Sequence, residues 1–367
     1  MRRMVAGVVL VLGLVVAQQA AAQEYGGGRF PAKPSGNYTP TVGIVLQGRS
    51  RRRGSVPGIV VGTWNLENLF RPGSEFGPRD EATYERKLAG LAAVIDAAAP
   101  DVLAVQEVGE PEALADLVAR LDGEWEVETG TVFEPGHPIR VGVLSRTPVS
   151  EVEQVSEFPA RLRPVQADDA GTTLHAMPRG ALRVRTGGLD LVVCHLKSKL
   201  LTFPGGRFSP RDEGERARYA AYALQRRGAE AATVRGAADR LLDGAGTERP
   251  VVVLGDLNDE PQAATTQILL GPPGSELGSA GFDRPDRGDP WRLWNLAPLI
   301  PEEHRYTRVY AGRRELIDHI LVSRFLVTRT AAVDTGGVQP ESIGPEPPAR
   351  SDADASDHAP VFARIDL

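Results

Sequence analysis

Four polar residues, Asp256, Asn258, Asp259 and Glu260, crowd into the stretch GDLNDEP (255–261), directly after the apolar run Val251 to Leu254. Similar groups punctuate other apolar runs. Asn65 and Glu67 end IVVGTWNLE, Gln106 and Glu107 end VLAVQE, His195 follows LVVC, Asp318 interrupts LIDHILV, and Asp357-His358 stands just before the last run. Carboxylates and amides of this kind ligate hard cations or hold a water, and histidine exchanges protons near neutral pH. Strand ends are where packed sheets deliver such groups to a common cleft.

Each residue also has a plainer reading. Glu107 could be a surface carboxylate after a strand, Asp256 and Asn258 could cap their own turn, and His195 could be a satisfied strand histidine. Asp256, Asn258 and Glu260 alternate as in an EF-hand calcium loop, but that loop needs glycine at its sixth position, where Pro261 stands. A buried Asp318 needs a cationic or hydrogen-bonding partner, and His358 is the candidate. Asp259 and Glu260 read as turn and surface residues.

The elements that must position these groups are legible as period. IVVGTWNL (59–66), VLAVQEV (102–108), IRVGVLSR (139–146) and VVVLGDLN (251–258) read as strands, and LIDHILV and PVFARIDL close the chain in the same way. ALRVRT and LDLVVCHL, joined by Gly187-Gly188, read as a hairpin. Helices are expected over 83–99, with Leu88, Leu91 and Ile95 at helical spacing before Pro100, over 111–121, and over about 212–243. This mixture predicts an α/β fold of a mixed sheet or two packed sheets with flanking helices, with no internal repeat.

Composition narrows the function. The chain has 367 residues, 41% hydrophobic and 25% charged, enough for a large core. Its formal charge of -6 is unevenly spread: residues 1–58 carry eight Lys and Arg against the single Glu24, leaving 34 basic and 47 acidic residues beyond, a net of -13. Such a body does not coat DNA unless bound cations or a local basic patch reverse the field. The lone Cys194 excludes an intrachain disulfide and reads as a buried strand residue.

The first 22 residues have a basic start, an apolar stretch from Met4 to Ala17 and small residues at Ala20 to Ala22, the layout of a secretory signal peptide. Residues 23–58 are rich in Gly, Pro and Arg and read as a linker. The expectation is a secreted catalytic domain over 59–367, without a stable membrane span once the signal is removed. Translation from near Val56 would instead make it cytoplasmic.

Taken together, TWNLEN (63–68), PDVLAVQE (100–107), HLKSK (195–199), GDLNDEP (255–261), ELIDHILVS (315–323) and SDHAPV (356–361) resemble, in order, the motifs of the endonuclease/exonuclease/phosphatase superfamily, which includes deoxyribonuclease I. The resemblance implies a four-layered α/β/β/α sandwich of two packed mixed sheets flanked by helices. It also implies a Mg2+-dependent phosphoester hydrolase, with Mn2+ or Ca2+ as substitutes. Glu107 would be the principal metal ligand, with Asn65, Glu67 and Asp357 in the metal shell. Asp256 and Asn258 would orient the attacking water and hold the phosphate, His358 would be polarised by Asp318, and His195 would contact the phosphate.

One departure stands out. Deoxyribonuclease-like members give the first histidine a glutamate partner on the strand matching 139–146, where this chain has Ile139 and Arg140. Arg140 could bind phosphate or form a structural salt bridge. Lys197 and Lys199 could extend a positive edge or be solvated, and Arg207, Arg211 and Arg216, on or beside a loop over the cleft, could reach phosphate. Arg226-Arg227 reads as a solvated helix face. The expected substrate is a phosphoester, DNA or RNA among the candidates, with a small metabolite or lipid head group as the alternative and a non-catalytic binding module as a further one. The expected form is a monomer.

Overall fold

The computed structural model describes residues 58–344, 350 and 352–367. The expected signal peptide and nearly all of the linker lie outside the described residues. In chain order the elements are β1 (Ile59–Leu69), α1 (Glu81–Ala98), β2 (Val102–Val108), α2 (Pro111–Val118), β3 (Glu126–Thr129), β4 (Arg140–Ser145), β5 (Ser150–Glu157), β6 (Val165–Gln166), β7 (Thr173–Leu174), β8 (Ala176–Thr186), β9 (Leu189–His195), α3 (Glu213–Leu242), β10 (Val251–Asp256) and α4 (Ala264–Leu270). They continue with β11 (Leu293–Asn295), β12 (Arg308–Tyr310), β13 (Arg313–Glu315), β14 (Asp318–Ser323), α5 (Arg324–Val327), β15 (Thr330–Asp334), β16 (Ser342–Ile343) and β17 (Val361–Ile365).

The helices begin and stop for local reasons. Asp80 caps α1 by accepting from Thr83 N at 2.8 Å, and Tyr84, Leu88, Leu91 and Ile95 form its buried stripe. Ala99 then turns left-handed (φ 45) ahead of Pro100. Asp212 caps α3 in the same manner, through Glu215 N at 2.8 Å.

Two six-stranded sheets organise the molecule. The first runs β15-β17-β1-β2-β4-β3 and the second β11-β14-β10-β9-β8-β5. Each is antiparallel except for one parallel pair, β1 with β2 and β9 with β10. Parallel neighbours need a long crossover, and α1 and α3 supply the helices for the two.

Alternation along the strands separates three cores. Val61, Val102 and Val143 of the first sheet pack with Leu191, Leu254 and Ile320 of the second. Trp64, Leu103 and Val105 point the other way, onto Leu88 and Leu91 of α1 and Leu114 and Leu117 of α2. On the far side Val192, Cys194, Val251 and Val253 pack on Ala231, Val234 and Ala238 of α3. The layers are therefore helix, sheet, sheet, helix, the α/β sandwich that the sequence motifs imply. Cys194 is fully buried, as expected.

Candidate active site

The same alternation that builds the inner core carries three site residues inward. Val61, Thr63 and Asn65 share a face of β1, Leu191, Val193 and His195 a face of β9, and Val252, Leu254 and Asp256 a face of β10. Asp256 lies opposite His195 in the parallel ladder and opposite Asp318 in the antiparallel one. Gly255 between them has φ 144, and a Cβ there would stand 1.9 Å from the Cys194 carbonyl oxygen, so only glycine fits.

Glu107 reaches the site by a different device. Strict alternation would turn it outward with Leu103 and Val105, leaving Gln106 inside, where Gln106 indeed pairs with Thr63. The β1–β2 register shifts after Asn65, the β2–β4 register shifts after Val105, and Glu107 takes φ 60. This bulge re-aims the carboxylate inward. Four of the eight non-glycine residues with positive φ among the described residues, Glu67, Asn68, Glu107 and Asn258, belong to this one region. Backbone strain of this kind concentrates at functional sites.

The two sheets meet through a chain of hydrogen bonds. Asn65 Nδ2 donates to Glu107 Oε1 at 3.1 Å and, across the sheets, to Asp256 Oδ2 at 3.0 Å. Asn68 N donates to Glu107 Oε2 at 2.9 Å. His195 Nε2 lies 3.5 Å from Asp256 Oδ2 and 3.9 Å from Glu107 Oε1. His358 Nδ1 is 2.7 Å from Asp318 Oδ2, and Trp64 Nε1 donates to the His358 carbonyl at 2.8 Å. Asp256, Asp318 and His358 each offer an atom within 4.8 Å of the others. Asp318 Oδ1 is buried and has no hydrogen-bond partner among the described residues.

A sequence model of the endonuclease/exonuclease/phosphatase family matches residues 62–358, spanning this whole constellation. The chain belongs to the endonuclease/exonuclease/phosphatase family. Comparison with curated proteins gives no match. Among solved structures, the catalytic domain of human nocturnin with bound sulfate anion is similar at 15% identity and TM-score 0.50, over 85% of this chain and 95% of that one. The 3'-5' exonuclease NExo of Neisseria meningitidis aligns at 18% identity and TM-score 0.49, over 84% and 100%. An AP endonuclease of Archaeoglobus fulgidus aligns at 14% and 0.49, over the same shares. At these identities the likeness is one of fold.

The environment of this family member's site separates its charges. Burial, then the Asp318 charge, pushes the Asp256 carboxyl up to about 7. Burial, then the neighbouring Asp357, pushes Glu67 up to about 7. Burial acts on Glu107 in the same sense, but the Asn65 hydrogen bond and the His358 charge hold it below the usual carboxylate range. His358 is buried, yet Asp318 and Asp357 raise it well above the usual imidazole value. His195 is pushed well below that value by burial and then by Arg179, so it is neutral at pH 7.

Arg179 is the partner that sequence reading missed. Its Nη1 sits 2.8 Å from His195 Nε2, and its Nε lies 4.0 Å from Glu134 Oε2. It rides on β8, two residues upstream of Ala181, where the apolar pattern becomes strand-like beyond Pro178 and Gly180. Arg140, the residue expected near here, instead donates to the Gly109 carbonyl and covers the Phe133 ring at 4.4 Å. Arg350 was also missed: its guanidinium grips Glu67 at 2.6 and 3.0 Å, and Asp357 N donates to the same carboxylate at 2.8 Å.

Other expected positions are redistributed. Asp357 lies 4.0 Å from His358 Nε2 and 3.8 Å from Arg308 Nε. Asn258 takes φ 53, its N–H donates to Asp256 Oδ1 at 2.8 Å, and its amide donates to the Leu196 carbonyl at 3.0 Å. Lys197 is half-buried, with Nζ donating to the Ser198 and Leu200 carbonyls, and burial and nearby arginines push its ammonium down to about 7. Arg207 turns to Glu215 at 2.8 Å and to the Phe203 ring, Arg216 to Glu213, and Arg211 is exposed; none of their hydrogen bonds reaches a site residue.

Two expectations fail outright. Arg226 and Arg227 are buried, not solvated, the first between Glu230 and Glu134 and the second against Asp259. Asp259 is correspondingly a half-buried ion-pair partner, and Glu260 accepts from Leu316 N. Apart from Glu230, one turn along α3 from Arg226, their partners lie far away in sequence, so no local pattern announces them.

The donor set suits a hard divalent cation. Glu107, Glu67 and Asp357 offer only oxygen, while Arg350 already pairs with Glu67 and Arg308 Nε lies 3.8 Å from Asp357.

Proposed function

We propose that this protein is a divalent-cation-dependent phosphodiesterase acting on nucleic acid, with Mg2+ as the expected ion. The observation that carries the reading is the His358–Asp318 pair facing Asp256 across the junction of the two sheets. Glu107 would hold the cation with Glu67 and Asp357, and Asn65 orients Glu107. When bound, the cation supplies positive charge to the phosphoryl oxygens and to the attacking water.

The protein's own groups divide the remaining work. Asp256, held by Asn65 and by the Asn258 N–H, has a proton affinity near neutrality and is placed to accept the proton of the attacking water. His358, kept protonated by Asp318, donates to a phosphoryl oxygen whose charge grows in the transition state. His195 stays neutral, and Arg179 beside it adds a positive charge. Arg179 thereby takes the part that sequence reading gave to Arg140.

The nucleic-acid reading is favoured by the rim. Phe133 is 40% exposed beneath the Arg140 guanidinium, and His137, packed on Phe76 at 4.5 Å, bonds to Asn68 beside Glu107. Aromatic faces next to arginine accept bases by stacking.

The test is an assay of the full chain on plasmid DNA, RNA, bis-p-nitrophenyl phosphate and inositol phosphates, with Mg2+, Mn2+, Ca2+ or chelator. Metal-dependent cleavage of polynucleotide supports the proposal. Hydrolysis that survives complete chelation overturns the cation dependence, and turnover of inositol phosphates alone overturns the substrate.

A further inference from the structure

The ladders that fix His195 and Asp256 end at those residues, so the segments beyond them need another hold. Arg227, in the middle of α3, provides one. Its Nη1 donates to the Lys197 carbonyl at 2.8 Å and its Nε to Asp259 Oδ2 at 3.1 Å. Thr265 Oγ1 donates to the same Asp259 oxygen at 2.7 Å. Almost one turn along the helix, Glu230 Oε2 accepts the Lys197 N–H at 2.5 Å. Both backbone polar groups of Lys197 are thus held by side chains of α3.

We propose that Arg227 is a positioning residue that fixes His195 and Asn258 relative to each other, a role resting on the phosphodiesterase reading of the same site. Lys197 is two residues past His195, and Asp259 directly follows Asn258. The two segments also touch through the Asn258 amide and the Leu196 carbonyl at 3.0 Å. The Arg227 and Asp259 side chains are only 8% and 13% exposed, so their charge-assisted bonds are shielded from water. The role needs a fork: one guanidinium spans a carbonyl on one segment and a carboxylate on the other, which a lysine ammonium does not reproduce. Displacing a reacting group by about 1 Å can cost on the order of 100-fold in rate.

The experiment compares the full chain with Arg227→Ala, Arg227→Lys and Asp259→Asn, using bis-p-nitrophenyl phosphate with Mg2+ or Mn2+ and recording the imidazole NMR signals of His195 and His137. The expected result is a kcat lower by about 30-fold or more with KM within about threefold. Added guanidinium partly restores Arg227→Ala, the double variant with Asp259→Asn is no worse than either single change, and His195 signals move while those of His137 do not. Unchanged kcat in folded variants, or unmoved His195 signals, overturns the proposal. Should Arg227→Ala not fold, Arg227→Lys decides, because full activity there shows the fork is not needed. A wild-type chain that hydrolyses no phosphoester overturns the previous section instead, and the His195 signals still decide the positioning.

Discussion

His358 and Asp318 come from different sheets, and the 2.7 Å contact between them joins the loop before β17 to the first residue of β14. The pair makes His358 a cation in a buried place and gives Asp318 its only side-chain counter-charge among the described contacts. Asp318→Asn keeps the shape and removes the charge. Its expected effect is a loss of about 100-fold or more in kcat, with the basic limb of the pH–rate profile moved to lower pH as His358 loses its proton more easily. A profile superposable on that of the wild type would contradict the pairing.

Arg179 is expected to act on binding and rate together. Arg179→Gln removes the fixed charge beside His195 and lets the imidazole gain a proton more readily. Steady-state kinetics should show kcat/KM lower by about 10- to 100-fold, with less of the loss recovered at high pH than at low pH. Arg140→Gln, by contrast, should stay within about threefold on bis-p-nitrophenyl phosphate, because its guanidinium engages Gly109 and Phe133.

Glu107 is the test of cation binding that does not depend on turnover. Glu107→Gln should weaken Mn2+ affinity by at least about 10-fold in calorimetry, while the far-ultraviolet spectrum and melting without metal stay close to wild type. Equal affinity would remove Glu107 from the ion's shell.

The raised pKa of Glu67 fixes the sign of a pH effect. Its folded value of about 7 exceeds the ordinary 4.5, so the folded chain binds this proton more tightly than the unfolded one. The contribution to stability is complete below about 4.5 and is lost as pH rises to about 7. Glu67→Gln mimics the protonated form, so in chelator the variant should gain on the wild type across that window, by at most about 3 kcal/mol. Mg2+ should narrow the gap by favouring the carboxylate. Thermal melts at pH 5 and pH 8, with and without Mg2+, measure both.

Gly255 gives a stability prediction independent of chemistry. Gly255→Ala places a methyl against the Cys194 carbonyl, so backbone must move between the two central strands of the second sheet. A loss of at least about 2 kcal/mol is expected in denaturant unfolding.

What could be read from the sequence divides along physical lines. Strands with apolar runs, β1, β2, β9, β10 and β17, and helices with caps and stripes were legible because the signal is local. β5, SEVEQVSE, was not, since it is a largely exposed edge strand with no apolar run. Within the candidate site, the proposed ligands and the His358–Asp318 pair stood in motifs, but Arg179, Arg227 and Arg350 did not. Each acts through a partner distant in the chain, such as Glu67, 283 residues from Arg350, and an arginine's type alone does not say whether it meets water or a carboxylate.

The division of the site between two sheets has a consequence for the folding chain. Asn65, Glu67, Glu107 and His358 arrive with one sheet, and His195, Asp256 and Asp318 with the other. Neither layer holds a complete set, so on the proposed reading hydrolysis requires that the layers dock. Activity would then report that docking directly.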